Sequence, residues 1–517
     1  MAGLVGVLTL AGPSASAADT PAPPDLVKLL GGFDELWTPD PTSVLHGTVD
    51  EQAVLQRNDE LAVWINQHAT PAQQFAALQD SAYGSSPDSY DQSITISTGL
   101  GSLLGPLYVQ GRQSGSLPLT SSLLNSTTGS AGNFVGTGKA KDTYSYPRPF
   151  LPTDPATPAV PGDDPACAPA STNASSLRPI RVGEPYAGPD GRLDIDRVPP
   201  TVDRTHEFSS ADVALEPGYG SPALCVSGSF PSGHTATAFQ AAVALATLLP
   251  ELGPEILSRA SENGNNRVVL GVHYPLDVIG GRMSGEAAIA ALWSDDGFRA
   301  RVLEPARREL VGYLEAGCGA DLGTCIAKQV PYQADPYGGA VLPGGTAQVV
   351  TDRASAVAVA AERLTYGFPR IGTTGLNPSV PDGAGNLLLT TFPTLTDAQR
   401  RSVLAQTQLD SGYPLDLSGS GSWQRVNLAA AMSATVQVEP DGAVSVTGTG
   451  GPARVLPAVG TSPAPSTVAG TLPGGSGAAA GPSTSASFWS IAAGLVVVLA
   501  GTGLVVVLRR RPRRPTR

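Results

Sequence analysis

The chain has 517 residues, 41% apolar and 15% charged, with 60 glycines, 47 prolines and four cysteines. That length suits a few domain-sized units. The composition excludes a collagen, a wholly disordered chain and a disulfide-built miniprotein. The net charge is −12, and six arginines sit in the last nine residues. The rest of the chain is therefore more acidic still, which argues against a nucleic-acid partner. Any anionic substrate needs a local cationic cluster.

The N-terminus reads MAGLVGVLTLAGPSASAADT. A short apolar stretch, Leu4 to Leu10, precedes an A-x-A cleavage signal at Ala15 to Ala17. Residues 1–17 read as a secretory signal peptide. Asp59 to His68 and Pro71 to Asp80 have the spacing of short amphipathic helices. Residues 151–227 are rich in proline and glycine and read as loop. His234 to Leu249 is almost entirely apolar and stops at Pro250. It is short for a membrane span, so a buried core helix is expected. Pro275 to Trp293 and Phe298 to Ala316 read as further helices.

Residues 18–350 are taken as the main domain and 351–448 as a small mixed accessory region. The latter has helical patterns at Ala354 to Leu364 and Thr396 to Gln406. Ala434 to Thr447 alternates like a hairpin around Asp441-Gly442. Residues 449–487 form a Pro/Gly/Ala/Ser-rich stalk. Residues 488–508 carry no charge, and at 1.5 Å per residue they span roughly 30 Å, one hydrocarbon core. The basic tail 509–517 follows and by the positive-inside rule stays cytoplasmic. The expected product is a single-pass protein of the cell membrane, with its catalytic domain extracytoplasmic and its C-terminus cytoplasmic.

An exported chain tolerates disulfides. Cys318 and Cys325 bracket a short glycine-containing loop and are expected to pair, which leaves Cys167 for Cys225. Four cysteines allow three connectivities. Metal binding is the alternative, although no CxxC occurs and no histidine is near.

Five histidines exist, and two have informative neighbours. His234 follows Pro231-Ser232-Gly233 and opens the apolar helix. A helix start presents free N–H groups, so Ser232 and Gly233 can offer a hydroxyl and a backbone N–H to an oxyanion. A surface cap is the plainer reading. His273 and Asp277 stand four apart after Arg267, a spacing at which a carboxylate can fix an imidazole tautomer. Pro275 puts His273 near a helix start, and an incidental ion pair is the plainer reading there. Lys141 and Arg148, with prolines on both sides of Arg148, form a third cationic segment in a chain with only four lysines.

In order these are K-x6-RP, PSGH and R-x5-H-x3-D. This pattern resembles the type 2 phosphatidic acid phosphatase superfamily, and Gly228 to Thr235, GSFPSGHT, is similar to the signature of bacterial class A nonspecific acid phosphatases. The resemblance covers about residues 50–310. It implies an all-α helical bundle, to which the composition adds the small mixed accessory region, the stalk and one C-terminal transmembrane helix. It implies a metal-independent phosphate-monoester hydrolase with no cofactor. Lys141, Arg148, Ser232, Gly233 and Arg267 would bind phosphate. His273 would be the nucleophile, Asp277 its orienting group and His234 the proton donor and acceptor. The family pattern has serine before the motif arginine; here Asn266 precedes Arg267, so altered affinity or specificity is expected. Vanadium-dependent haloperoxidases share this pocket, and a surface phosphate-binding protein without catalysis is a third reading. Vanadate separates the first two, since it inhibits a phosphatase and activates a haloperoxidase.

Overall fold

The computed structural model describes residues 21–82, 90–417 and 421–457. The expected signal peptide, the expected membrane segment 488–508, the basic tail and the expected stalk from 458 onward lie outside the described residues.

The architecture is helical. Helix α1 (Gln52–His68) and α2 (Pro71–Ser81) form the first pair. Helix α3 (Leu104–Gln113) and the short α4 (Gly138–Tyr144) follow. Three longer helices make the centre: α5 (Gly233–Leu248), α6 (Gly253–Val269) and α7 (Pro275–Leu292). Helix α8 (Glu304–Cys318), α9 (Arg353–Glu362) and α10 (Asp397–Thr407) complete the set. Strands are few. β1 (Trp37–Pro39) pairs with β2 (Gly47–Val49), and β3 (Thr201–Asp203) with β4 (Val213–Leu215), both antiparallel. The C-terminal sheet runs β6 (Val444–Gly448), β5 (Thr435–Val438), β7 (Arg454–Leu456).

The expected helices are present, with shifted ends. α1 begins at Gln52 rather than Asp59, because its buried face includes polar Asn58 and Asp59 beside Val54, Leu55, Leu61 and Ile65. The segment from Phe298 starts as a π turn over Arg299–Leu303 before α8 proper, with Pro305 in the first turn of α8. The hairpin around Asp441-Gly442 forms as β5 and β6. Strand β7 corrects the expected stalk boundary. It pairs parallel to β5 although it lies beyond residue 449, where proline and glycine on either side mask a three-residue strand.

α6 has no counterpart among the expected helices, and it is as enclosed as α7. All but one of its 17 residues are buried, including Glu255, Arg259, Asn263, Asn265, Asn266 and Arg267. Polar groups buried this deeply need partners. Asp80 of α2 takes two N–H groups from Arg259, at 2.7 and 3.0 Å. Asn263 accepts from Gln92, and Asn265 donates to the Tyr337 hydroxyl. So α6 is held by polar contacts as well as by packing, which is why apolar periodicity does not reveal it.

α5 and α7 pack closely because α7 is smooth where they meet. A Cβ on Gly281 would lie 2.6 Å from the Ser232 carbonyl oxygen, and one on Gly285 2.6 Å from the Phe239 Cβ. Neither position has room for a side chain. The close approach brings the N-termini of both helices together. Among the described residues no single helix is long and apolar enough to cross a membrane. α5 is a core helix, buried from Thr235 to Leu248.

Residues 351–448, set apart in the sequence as an accessory region, share a core with the central helices. Leu387, Leu388, Phe392, Val403, Leu404 and Met432 pack in one cluster with Leu245, Leu248, Ile256 and Trp293. Cys167 pairs with Cys225 and Cys318 with Cys325, as expected from the sequence.

Candidate active site

Four pieces of chain converge at the N-termini of α5 and α7. The first is the turn before α5. Ser232 is the N-cap of α5, its hydroxyl oxygen accepting from the Thr235 N–H and from the Thr235 hydroxyl at 2.9 Å. Its own O–H proton is the donor that remains. The Ser232 backbone N–H donates to the Asp277 carbonyl oxygen at 2.9 Å, which ties the two helix starts together. Gly233 is the first residue of α5, where backbone N–H groups lack intrahelical partners.

The second piece is the start of α7. Tyr274 is its N-cap and Pro275 its first residue, so His273 stands just ahead of the helix. The expected contact forms across that boundary. Asp277 Oδ2 lies 2.9 Å from His273 Nδ1 and accepts the Tyr274 N–H at 2.9 Å. The Ser229 hydroxyl donates to Oδ1 at 3.4 Å. A buried ion pair steadies the segment from behind. Arg181 binds both oxygens of Asp59, at 2.7 and 2.9 Å, and donates to the Tyr274 hydroxyl at 2.8 Å.

The third piece carries Lys141 and Arg148. Lys141 projects from α4 and donates to the carbonyls of Gly228 (2.7 Å) and Ser229 (3.0 Å). Arg148 is buried. Its Nε serves the Leu224 and Ser227 carbonyls, and Nη2 the Gly228 carbonyl. Its Nη1 donates to the Val272 carbonyl at 2.9 Å and to His273 Nε2 at 3.2 Å. A guanidinium can only donate. His273 Nε2 is therefore the acceptor and Nδ1 carries the proton, which Asp277 receives. This tautomer leaves the Nε2 lone pair facing the cations.

The fourth piece is α6, which brings Arg267, almost fully buried, within electrostatic range of Lys141, Arg148, His234 and His273. Burial, then Arg148, Lys141 and Arg267, hold His273 well below the ordinary imidazole value. Burial, then Arg267, do the same to His234. Both shifts favour the neutral form of the ring. Burial raises the Asp277 carboxyl to about 7, against the Tyr274 N–H and the Lys141 and Arg148 charges. Burial lowers Lys141 well below its usual value, with Arg148 and Arg267 adding to the shift. An anion at this point would offset the mutual repulsion of the cations that lowers Lys141, His234 and His273.

His234 Nε2 lies 3.2 Å from the Ser81 carbonyl oxygen at the end of α2. A carbonyl only accepts, so Nε2 holds the proton of the neutral ring and Nδ1 is its basic atom. The structure thus brings together Lys141, Arg148, Ser232, Gly233, His234, Arg267, His273 and Asp277. Asn266 does something else with its amide, donating to Asp80 Oδ2 at 2.8 Å. The remaining histidines sit elsewhere. His46 meets the Ser176 hydroxyl, His68 stacks on Trp64, and exposed His206 pairs with Asp212. Among the described residues no three His, Cys, Asp or Glu side chains gather as a metal-binding group. Sequence reading missed Ser229, Ser81 and the Asp59–Arg181–Tyr274 support. The carbonyl contacts carry no side-chain signal, and Asp59 lies far from Arg181 in the chain.

Residues 121–301 match the family model described as PAP2 superfamily. The chain carries a PAP2 domain. All eight site residues fall inside the matched range. Similar proteins include the acid phosphatase of Zymomonas mobilis subsp. mobilis, 37% identical over 117 residues, which is 23% of this chain and 44% of that protein. The non-specific acid phosphatase of Providencia stuartii is 38% identical over 86 residues, 17% of this chain and 34% of that protein. That of Salmonella typhi is 39% identical over 83 residues, 16% and 33% respectively. The chain spans less than half the length of each of these relatives. Outside the PAP2 match lie α1, α2, α3 and the residues from 302 onward.

Proposed function

We propose that this chain is a phosphatase that hydrolyses phosphate monoesters through a phosphohistidine at His273, without a metal. The observation that carries the reading is the pairing of His273, Nδ1 on Asp277 and Nε2 on Arg148, among the buried Arg148 and Arg267 and the partly buried Lys141. Phosphoryl transfer needs positioning and charge stabilisation above all. Lys141, Arg148 and Arg267 supply the positive charge, with Ser232 and the Gly233 N–H as further donors. On binding, the Arg148 N–H turns from Nε2 to a phosphate oxygen, which frees the lone pair.

The His273 Nε2 lone pair then attacks phosphorus, and the bond to the leaving oxygen breaks. His234, protonated beside the dianionic ester, gives its Nδ1 proton to the departing alkoxide. Asp277 stabilises the imidazolium that forms. In the second half His234 Nδ1 takes a proton from water, the hydroxide attacks phosphorus, and the N–P bond pair returns to Nε2. The acid phosphatase relatives support the substrate class.

The same proposal includes export by residues 1–17 and anchoring by residues 488–508, on the strength of their composition. Protease digestion of intact cells tests this: an extracytoplasmic domain is cleaved, and a protected one refutes it. The catalytic test is phosphate release from p-nitrophenyl phosphate in the presence of a chelator, beside His273→Ala, with orthovanadate titrated in. Chelator-resistant, vanadate-inhibited release that the variant lacks supports the phosphatase. Release that needs metal, or that survives in His273→Ala, contradicts it. Bromide oxidation with vanadate and peroxide, without hydrolysis, would make it a haloperoxidase.

A further inference from the structure

Thr137 occupies the N-cap position of α4, yet its hydroxyl does not cap that helix. Ser and Thr at such positions ordinarily accept an N–H from the first turn. Here the side chain is turned toward the start of α5. A Cβ built on Gly233 would lie 3.0 Å from Thr137 Oγ1 and 3.9 Å from Lys141 Cε. The hydroxyl therefore stands against the residue whose N–H the proposed function assigns to the phosphate, beside the stem of a cation of the same cluster. The Thr137 carbonyl accepts the Lys141 N–H at 3.0 Å, so one turn of α4 fixes both side chains. The β-branch holds χ1 stiffly, and the residue is buried. Position 266, next to Arg267, is not a second source of such a donor, because the Asn266 amide is bonded to Asp80.

We propose that Thr137 is a further phosphate-contacting residue, its hydroxyl donating to a non-bridging oxygen beside the Gly233 N–H and Lys141. The inference rests on the phosphatase reading. It also explains why position 233 is glycine: any side chain there would meet the Thr137 hydroxyl.

The test compares wild type, Thr137→Val and Thr137→Ser. The readouts are KM and kcat for p-nitrophenyl phosphate, the inhibition constant of inorganic phosphate, and thermal unfolding. Valine keeps the shape and removes the donor, so KM and the phosphate inhibition constant should both rise at least about tenfold, the effect of losing a hydrogen bond to a charged group. Serine keeps the donor and should stay within about threefold of wild type. A purely structural role would show as lowered unfolding temperature without the serine rescue. Should the valine variant fail to fold, Thr137→Ala is read by the same criteria. Both constants unchanged in a folded variant of an active enzyme overturn the Thr137 assignment alone. A wild type that neither turns over nor binds inorganic phosphate by calorimetry overturns the phosphatase reading and this inference with it.

Discussion

Replacing Asp277 by asparagine changes charge and almost nothing else. An amide oxygen in the place of Oδ2 keeps the bonds from His273 Nδ1 and the Tyr274 N–H, each 2.9 Å in the wild type. The amide NH2 then faces the Ser229 hydroxyl, which can accept as readily as donate. Geometry and tautomer survive, and only the negative charge is lost. In the resting enzyme His273 is neutral, so that charge does little for the ground state. On attack the ring becomes an imidazolium, which holds the carboxylate ionised despite its raised value. With charge centres about 4 Å apart and an effective dielectric of about 20, the attraction is about 4 kcal/mol. That is roughly a thousandfold in rate. It arises only as the transition state forms, so kcat falls by about that factor while KM changes little. Steady-state kinetics with p-nitrophenyl phosphate measure both, and thermal unfolding checks the fold. A kcat within about tenfold of wild type, or a loss carried by KM, would refute the reasoning.

Other substitutions follow the same logic. Burial and then the Arg148 and Lys141 charges hold the His273 imidazole down, so Lys141→Met should let its pKa rise. The acid limb of the kcat/KM profile, where protonation removes the nucleophile, should then move to higher pH; an unmoved limb would contradict this. Glu286, buried against Arg282, is raised from 4.5 to about 7. A raised carboxyl contributes stability below its unfolded value that is lost as pH rises through the folded one. Glu286→Gln should therefore gain roughly 3 kcal/mol relative to wild type between about pH 4.5 and pH 7.5, as read by urea unfolding. Loop-closure entropy assigns about 4 kcal/mol to Cys167–Cys225, which spans 58 residues, and about 2 to Cys318–Cys325, which spans 7. Only the first lies beside Leu224 and Ser227, whose carbonyls hold Arg148. The Cys167→Ser/Cys225→Ser variant should lose both stability and substrate affinity, and the other pair stability alone.

The residues that converge at the starts of α5 and α7 were more legible in the sequence than the frame around them. Three short motifs carry side chains whose chemistry is specific, so their eight residues could be named before any geometry. Apolar runs exposed α5 and α7 for the ordinary reason that a helix buried all round is apolar all round. α6 is buried as deeply but is written SENGNN through its middle, and its polar side chains meet partners on α2 and in distant loops. No local pattern reports such partners. β7 was hidden likewise, since three residues between glycines and prolines have no periodicity to read. The fate of Asn266 was also illegible. Its amide could have served a ligand, and only the position of Asp80 shows that it serves the protein instead.

The central claim is a covalent bond between phosphorus and His273 Nε2. Wild-type protein is mixed with p-nitrophenyl phosphate, quenched in alkali within milliseconds, digested and weighed by mass spectrometry. The account predicts a burst of nitrophenol equal to the enzyme present, together with a phosphorylated peptide that contains His273 and is missing from His273→Ala. Steady turnover with no label on His273, or the same burst from His273→Ala, would contradict it.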